Sequence, residues 1–151
     1  MKAHTLFLVL ALVATTCLAA ASASPGDARW LNALALVESS NDSSAIGDGG
    51  RARGVFQFHR AAWEVARRRN PAVVEYHAGS MSPAAARLAA VTYLGWLRER
   101  FVAHGISAPT AGQLYAAYNC GFAGFARRGF DVRRTPATTQ RACARMEKLT
   151  Q

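Results

Sequence analysis

Residues 82–105 read SPAAARLAAVTYLGWLRERFVAHG, and this stretch decides the architecture. Ser82 followed by Pro83 is a helix-start signal, because a serine hydroxyl can accept from the unpaired amide hydrogens of a first turn and proline's fixed φ suits that turn. Leu88, Val91, Leu94, Leu97 and Phe101 then recur at steps of three and four residues, which lays apolar side chains along one helical face, and Gly105 ends the run. The spacing predicts one long central helix.

Upstream, Ser24 and Pro25 open another helix, Asp27 adds a favourable charge to its first turn, and Trp30, Leu31, Leu34 and Val37 carry its apolar side until it ends between Glu38 and Ser40. Residues 41–53 are rich in Ser, Asp and Gly, which marks a loop or a small irregular hairpin turning at Gly49-Gly50. Val55, Phe56 and Phe58 form a short apolar stretch, and a helix over residues 60–69 follows, stopped by Asn70-Pro71. Downstream of the central helix, Thr110 begins a helix through Leu114, Ala117 and Tyr118 that breaks at Asn119-Cys120-Gly121. A last helix is expected from Thr135-Pro136 to Leu149. Repeats, low-complexity linkers and sustained strand alternation are absent from the sequence. The fold class is therefore mostly α-helical, with at most a small β-hairpin within residues 41–58.

Lys2, the apolar run Leu6 to Ala21 and the small residues Ala21, Ser22 and Ala23 predict a signal peptide over residues 1–23. The expected protein is accordingly secreted or periplasmic, a monomer, and without stable membrane insertion once the leader is removed. Residues 24–151 make one domain of ordinary size. Setting aside Lys2, 17 basic side chains stand against nine acidic ones, a net charge of +8. Outside a membrane, such a charge meets cell-wall polymers, acidic peptide stems and anionic lipid. The interleaved aromatic-basic pattern of a nucleic-acid strand binder is missing, so nucleic acid is not an expected partner. Cys120 and Cys143 remain after the leader, and an even count in an oxidising compartment favours a disulfide between them, two buried free thiols being the other reading. The histidines are too scattered for a metal cluster, and neither a metal nor a cofactor is expected.

Glu38 is the acidic residue in the most unusual place. Trp30, Leu34 and Glu38 fall on one stripe at four-residue steps, so a face expected to turn inward ends in a carboxyl group. A partly buried carboxyl resists ionisation and can hold a proton near neutral pH for delivery to a leaving oxygen, as cleavage of a glycosidic bond requires. A local cap, or an ion pair with Arg51 or Arg53, is the plainer role open to the same residue.

Three segments bear on that choice: Val37-Glu38-Ser39, then Gly54-Val55-Phe56-Gln57, then Ala117-Tyr118-Asn119-Cys120-Gly121. In this order and spacing they resemble the signature of the lytic transglycosylase and goose-type lysozyme families over roughly residues 30 to 125. The resemblance implies a lysozyme-like, two-lobed helical domain acting on peptidoglycan glycan strands. It implies Glu38 as catalytic acid/base and Ser39 as the neighbour that helps hold the acid and the substrate. By the same resemblance Gln57 lines the cleft, Tyr118 hydrogen-bonds near the carboxyl, and Asn119 shapes the adjoining wall, with core packing against Leu114 also open to Tyr118. Phe56 stands where the family usually has Met or Leu, and Cys120 where Ala is common.

A second carboxylate would decide the reaction type, because two carboxylates flanking a sugar permit hydrolysis. Asp48, in the Gly-rich loop, is the candidate, and a plain turn residue is the other reading of it. Three functions follow: lytic transglycosylation with Glu38 alone, hydrolysis by Glu38 with Asp48, or non-catalytic wall binding or antimicrobial action through the +8 charge.

Overall fold

The computed structural model describes residues 25–151; the expected leader, residues 1–23, lies outside the described residues. Helix α1 (Pro25–Ser39) leads into three two-residue strands, β1 (Ile46–Gly47), β2 (Ala52–Arg53) and β3 (Phe58–His59). Helices α2 (Arg60–Arg69), α3 (Tyr76–Gly79), α4 (Pro83–Val102), α5 (Ala111–Cys120), α6 (Phe122–Ala126) and α7 (Ala137–Thr150) complete the chain. This is a mostly helical, lysozyme-like architecture with a small sheet on one side.

Local chemistry sets the boundaries of the elements. Ser82 Oγ accepts from the Ala85 amide at 3.4 Å and Pro83 sits in the first turn of α4. At α5, Thr110 Oγ1 accepts from the Gln113 amide at 3.2 Å while Gln113 Oε1 accepts from the Thr110 amide at 3.0 Å, a reciprocal cap that satisfies two otherwise free donors. Helix α1 stops because Ser40 and Asn41 take left-handed φ values of 56° and 67°, and the Asn41 amide turns back to donate to Ala35 O at 2.9 Å.

In place of one hairpin there is a three-stranded antiparallel sheet in the order β1-β2-β3, with Ile46 opposite Arg53 and Ala52 opposite His59. Strands of two residues are too short to show alternation in a sequence, and a 3-10 turn over Asp48–Gly50 joins the first two. Gly54 anchors the sheet. At φ 72° its α-carbon lies so close to the Ser80 carbonyl that any side chain would collide with it, and its amide donates to Ala45 O at 2.8 Å.

The core runs between the helices and under the sheet. Phe58 is fully buried and meets Trp63, Tyr118, Tyr93 and Phe56 edge-on, with ring centroids 5.4, 5.6, 6.0 and 6.5 Å away. One β3 side chain thereby joins α2, α4 and α5, and a strand too short to stand alone is held by packing. Trp63 is fully buried and donates its indole N–H to Val74 O at 2.9 Å, which places it in the core. A second cluster of Phe101, Phe122, Phe125 and Phe130 closes the far end of α4.

The expected Cys120–Cys143 disulfide is not formed; both are free thiols. Cys143 packs against the start of α5, its Cβ 3.3 Å from the point where a side chain on Gly112 would begin. Cys120 lies eight residues further on, about 12 Å along the helix axis. Burial, with smaller contributions from Cys120 and Glu147, pushes the Cys143 thiol up to about 11. Among the described residues no helix is long and apolar enough to cross a membrane.

Candidate active site

A cleft of about 740 Å³ opens between the sheet and α2 on one side and α4, α5 and α6 on the other, and Glu38, Asp48, Gln57, His59, Tyr118 and Asn119 line it. Glu38 reaches it from the last turn of α1, where the unpaired carbonyls of a helix end also disfavour a carboxylate. Its Oε1 is buried and makes no hydrogen bond. Desolvation raises its pKa most, the Tyr115 hydroxyl offsets part of the rise, and the negative charge of Asp48 adds to it, so that the group is pushed up to about 7. No ion pair to Arg51 or Arg53 forms among the described residues; Arg51 Nε donates to Asp48 O and Arg53 meets the His77 ring. A carboxyl that holds its proton near neutrality and faces an open cleft is suited to act as a general acid.

The sequence-predicted residues divide on inspection. Ser39 does not line the cleft: its Oγ donates to Val55 O at 2.8 Å and accepts from the Asp42 amide at 3.0 Å, which ties the end of α1 to the segment after β2. Gln57 lines the cleft in a left-handed conformation, φ 46°, and its amide donates to Ala45 O at 3.1 Å and Gly54 O at 2.9 Å. Its Oε1 lies against Gly47, where any side chain would push the end of Gln57 aside.

Tyr118 donates its hydroxyl to Phe56 O at 2.6 Å and stacks edge-on with Trp30 and Phe58, so that it packs in the core and presents part of its ring to the cleft. Asn119 Oδ1 accepts from Thr139 Oγ1 at 2.8 Å, which fastens α5 to α7 beside the cleft. Asp48, also left-handed at φ 50°, pairs with His59 Nε2 at 2.9 Å, and both side chains are half exposed.

Two residues escaped the sequence reading. Tyr115, on the turn before Tyr118 and buried, is the hydroxyl that bears on Glu38, and its own pKa is driven upward by burial and by that carboxyl. The signal was the three-residue step to Tyr118, which puts both rings on neighbouring turns of one helical face. His59 follows the apolar stretch directly, and only the β2–β3 pairing reveals that it reaches Asp48.

The model of the transglycosylase SLT domain matches residues 16–139. The chain belongs to that family. Membership gives this SLT domain a lytic transglycosylase-type action on peptidoglycan. No curated protein and no solved structure matches the SLT domain described here.

Proposed function

We propose that this SLT domain is exported and cleaves the bond between N-acetylmuramic acid and N-acetylglucosamine by lytic transglycosylation, with Glu38 as its single catalytic carboxyl. The reading rests on one observation: Glu38, which has a buried carboxyl oxygen without a partner and a pKa pushed up to about 7, lines a cleft of about 740 Å³. Glu38 gives its proton to the glycosidic oxygen as that bond breaks. The resulting carboxylate then takes a proton from a hydroxyl of the muramyl sugar while that oxygen bonds to the anomeric carbon, closing an anhydro ring. Glu38 ends the cycle protonated, and no water is consumed. Gln57, Tyr118 and Asn119 form the walls against which the two sugars are held, and Ser39 serves indirectly, by fixing the end of α1 from which Glu38 projects.

Hydrolysis with Asp48 as second carboxylate is the competing reading, favoured by its place in the same cleft and by its effect on Glu38. Against it stands the engagement of Asp48 with His59. Two substitutions separate the readings. Glu38→Gln keeps the fold and abolishes clearing of purified walls under either. Asp48→Asn retains clearing within a few-fold under transglycosylation and loses it by about a hundredfold or more if Asp48 is a general base. Full clearing by Glu38→Gln would overturn both.

A further inference from the structure

The three tryptophans are used differently. Trp30 and Trp63 are buried, 3% and 0% exposed, and each donates its indole N–H to a main-chain carbonyl, Ala111 O at 3.3 Å and Val74 O at 2.9 Å. Trp96 is only partly buried and lines the cleft. Among the described residues its indole nitrogen has no hydrogen-bond acceptor and is not fully buried, so the N–H keeps a donor for a partner from the cleft.

Trp96 is also held in place. Its ring stacks on Tyr93 with centroids 5.2 Å apart and planes 24° apart, and it meets Phe122 edge-on at 6.1 Å. Helix α2 contributes Ala62 and Val65 to the same cleft. Position 96 sits at the edge of the buried stripe, so that the ring packs against the core through Tyr93 and Phe122 and is left partly exposed where it lines the cleft. A rigid, partly exposed aromatic ring with a free donor at its edge matches one ligand chemistry well. That chemistry is the face of a pyranose, which offers a patch of C–H groups to the ring and hydroxyl or acetamido oxygens to the N–H.

From this we infer that Trp96 is a sugar platform, a binding subsite for an N-acetylated hexosamine in the arm of the cleft between α2, α4 and α6. The inference rests on the glycan-cleaving reading above and adds where the strand lies beyond the bond that is cut. An occupied subsite there holds the strand against Trp96 while Glu38 acts elsewhere in the cleft. Its loss weakens binding and leaves the chemical step intact.

The test uses Glu38→Gln protein, which binds without cutting, and soluble peptidoglycan glycan strands free of peptide as the probe. Because Trp30 and Trp63 are buried, a change in tryptophan emission and protection from acrylamide quenching on adding the strands reports Trp96. Both signals are expected in Glu38→Gln and absent in Glu38→Gln/Trp96→Phe. By calorimetry, Trp96→Ala in the same background raises Kd on the order of tenfold, and Trp96→Phe, which keeps a ring and removes the N–H, falls between. In the active protein the same substitutions raise KM and leave kcat within about twofold. Unchanged quenching on strand binding with Trp96 in place overturns the inference, as does a Kd within twofold of the parent for Trp96→Ala with an unaltered melting temperature. Cleavage by Glu38→Gln itself, or failure of the wild-type protein to cut strands, overturns instead the functional reading and the subsite with it.

Discussion

Glu38 holds its proton because the fold withholds both solvent and a cation from it. Its pKa, raised by burial from 4.5 to about 7, predicts the pH dependence of two properties. In the proposed mechanism cleavage needs the protonated acid, so kcat/KM is expected to fall as pH rises through about 7. Stability follows the same group: the unfolded chain releases this proton near 4.5 and the folded chain keeps it until about 7, so stability declines as pH climbs across that window. Above it, the buried charge costs up to about 3 kcal/mol. Glu38→Gln is therefore expected to melt at a higher temperature than the wild type at pH 8, with the gap closing toward pH 4.5. Calorimetric melts of both proteins across this range check it, and a variant that is less stable at pH 8 would contradict a carboxyl whose dominant surroundings are burial.

At the scale of elements, the long helices and a small hairpin turning at Gly49-Gly50 were legible in the sequence, and the third strand was not. Residues 83–102 carry an apolar stripe long enough to declare its period, and Ser82-Pro83 and Thr110 mark helix starts by hydrogen bonds that lie within a few residues. Strands of two residues carry no period, and β3 exists because Phe58 is packed by Trp63, Tyr93 and Tyr118 from three helices far apart in the chain. Glu38 could be singled out from its stripe and Tyr115 from its three-residue step to Tyr118, whereas His59 and Trp96 acquire meaning only from neighbours brought up by tertiary packing. The disulfide expectation failed for a related reason. Counting cysteines says nothing of the offset along α5 that sets Cys143 against Gly112, about two turns before Cys120. The sheet's dependence on one close approach is testable: Gly54→Ala places a methyl against the Ser80 carbonyl at a left-handed φ, and is expected to cost at least about 2 kcal/mol in urea unfolding. A loss under about half a kilocalorie would mean that the sheet and the α3–α4 turn are not locked together there.

For the molecule as a whole, stability comes from packing and not from a covalent tie. Helix α7 lies on α5 and α1, with Met146 and Cys143 buried, Thr139 bonded to Asn119, and Glu147 Oε1 accepting from the Gly112 amide at 2.8 Å. A bond between Cys120 and Cys143 would have added roughly 3 kcal/mol on the chain-entropy model. The free thiols predict instead an unfolding midpoint that is the same with and without reductant, and a fall of several degrees on reduction would contradict them. The net charge of +8 expected after leader removal gives this packed domain an attraction to an anionic wall but no means of cutting it.

The proposal that Glu38 cuts alone is tested most directly by mass analysis of the glycan fragments released from purified peptidoglycan. The wild-type protein should release fragments ending in an anhydro sugar, one water lighter than hydrolytic products, and Glu38→Gln should release none. Fragments with ordinary reducing ends, or release by the variant, would contradict it.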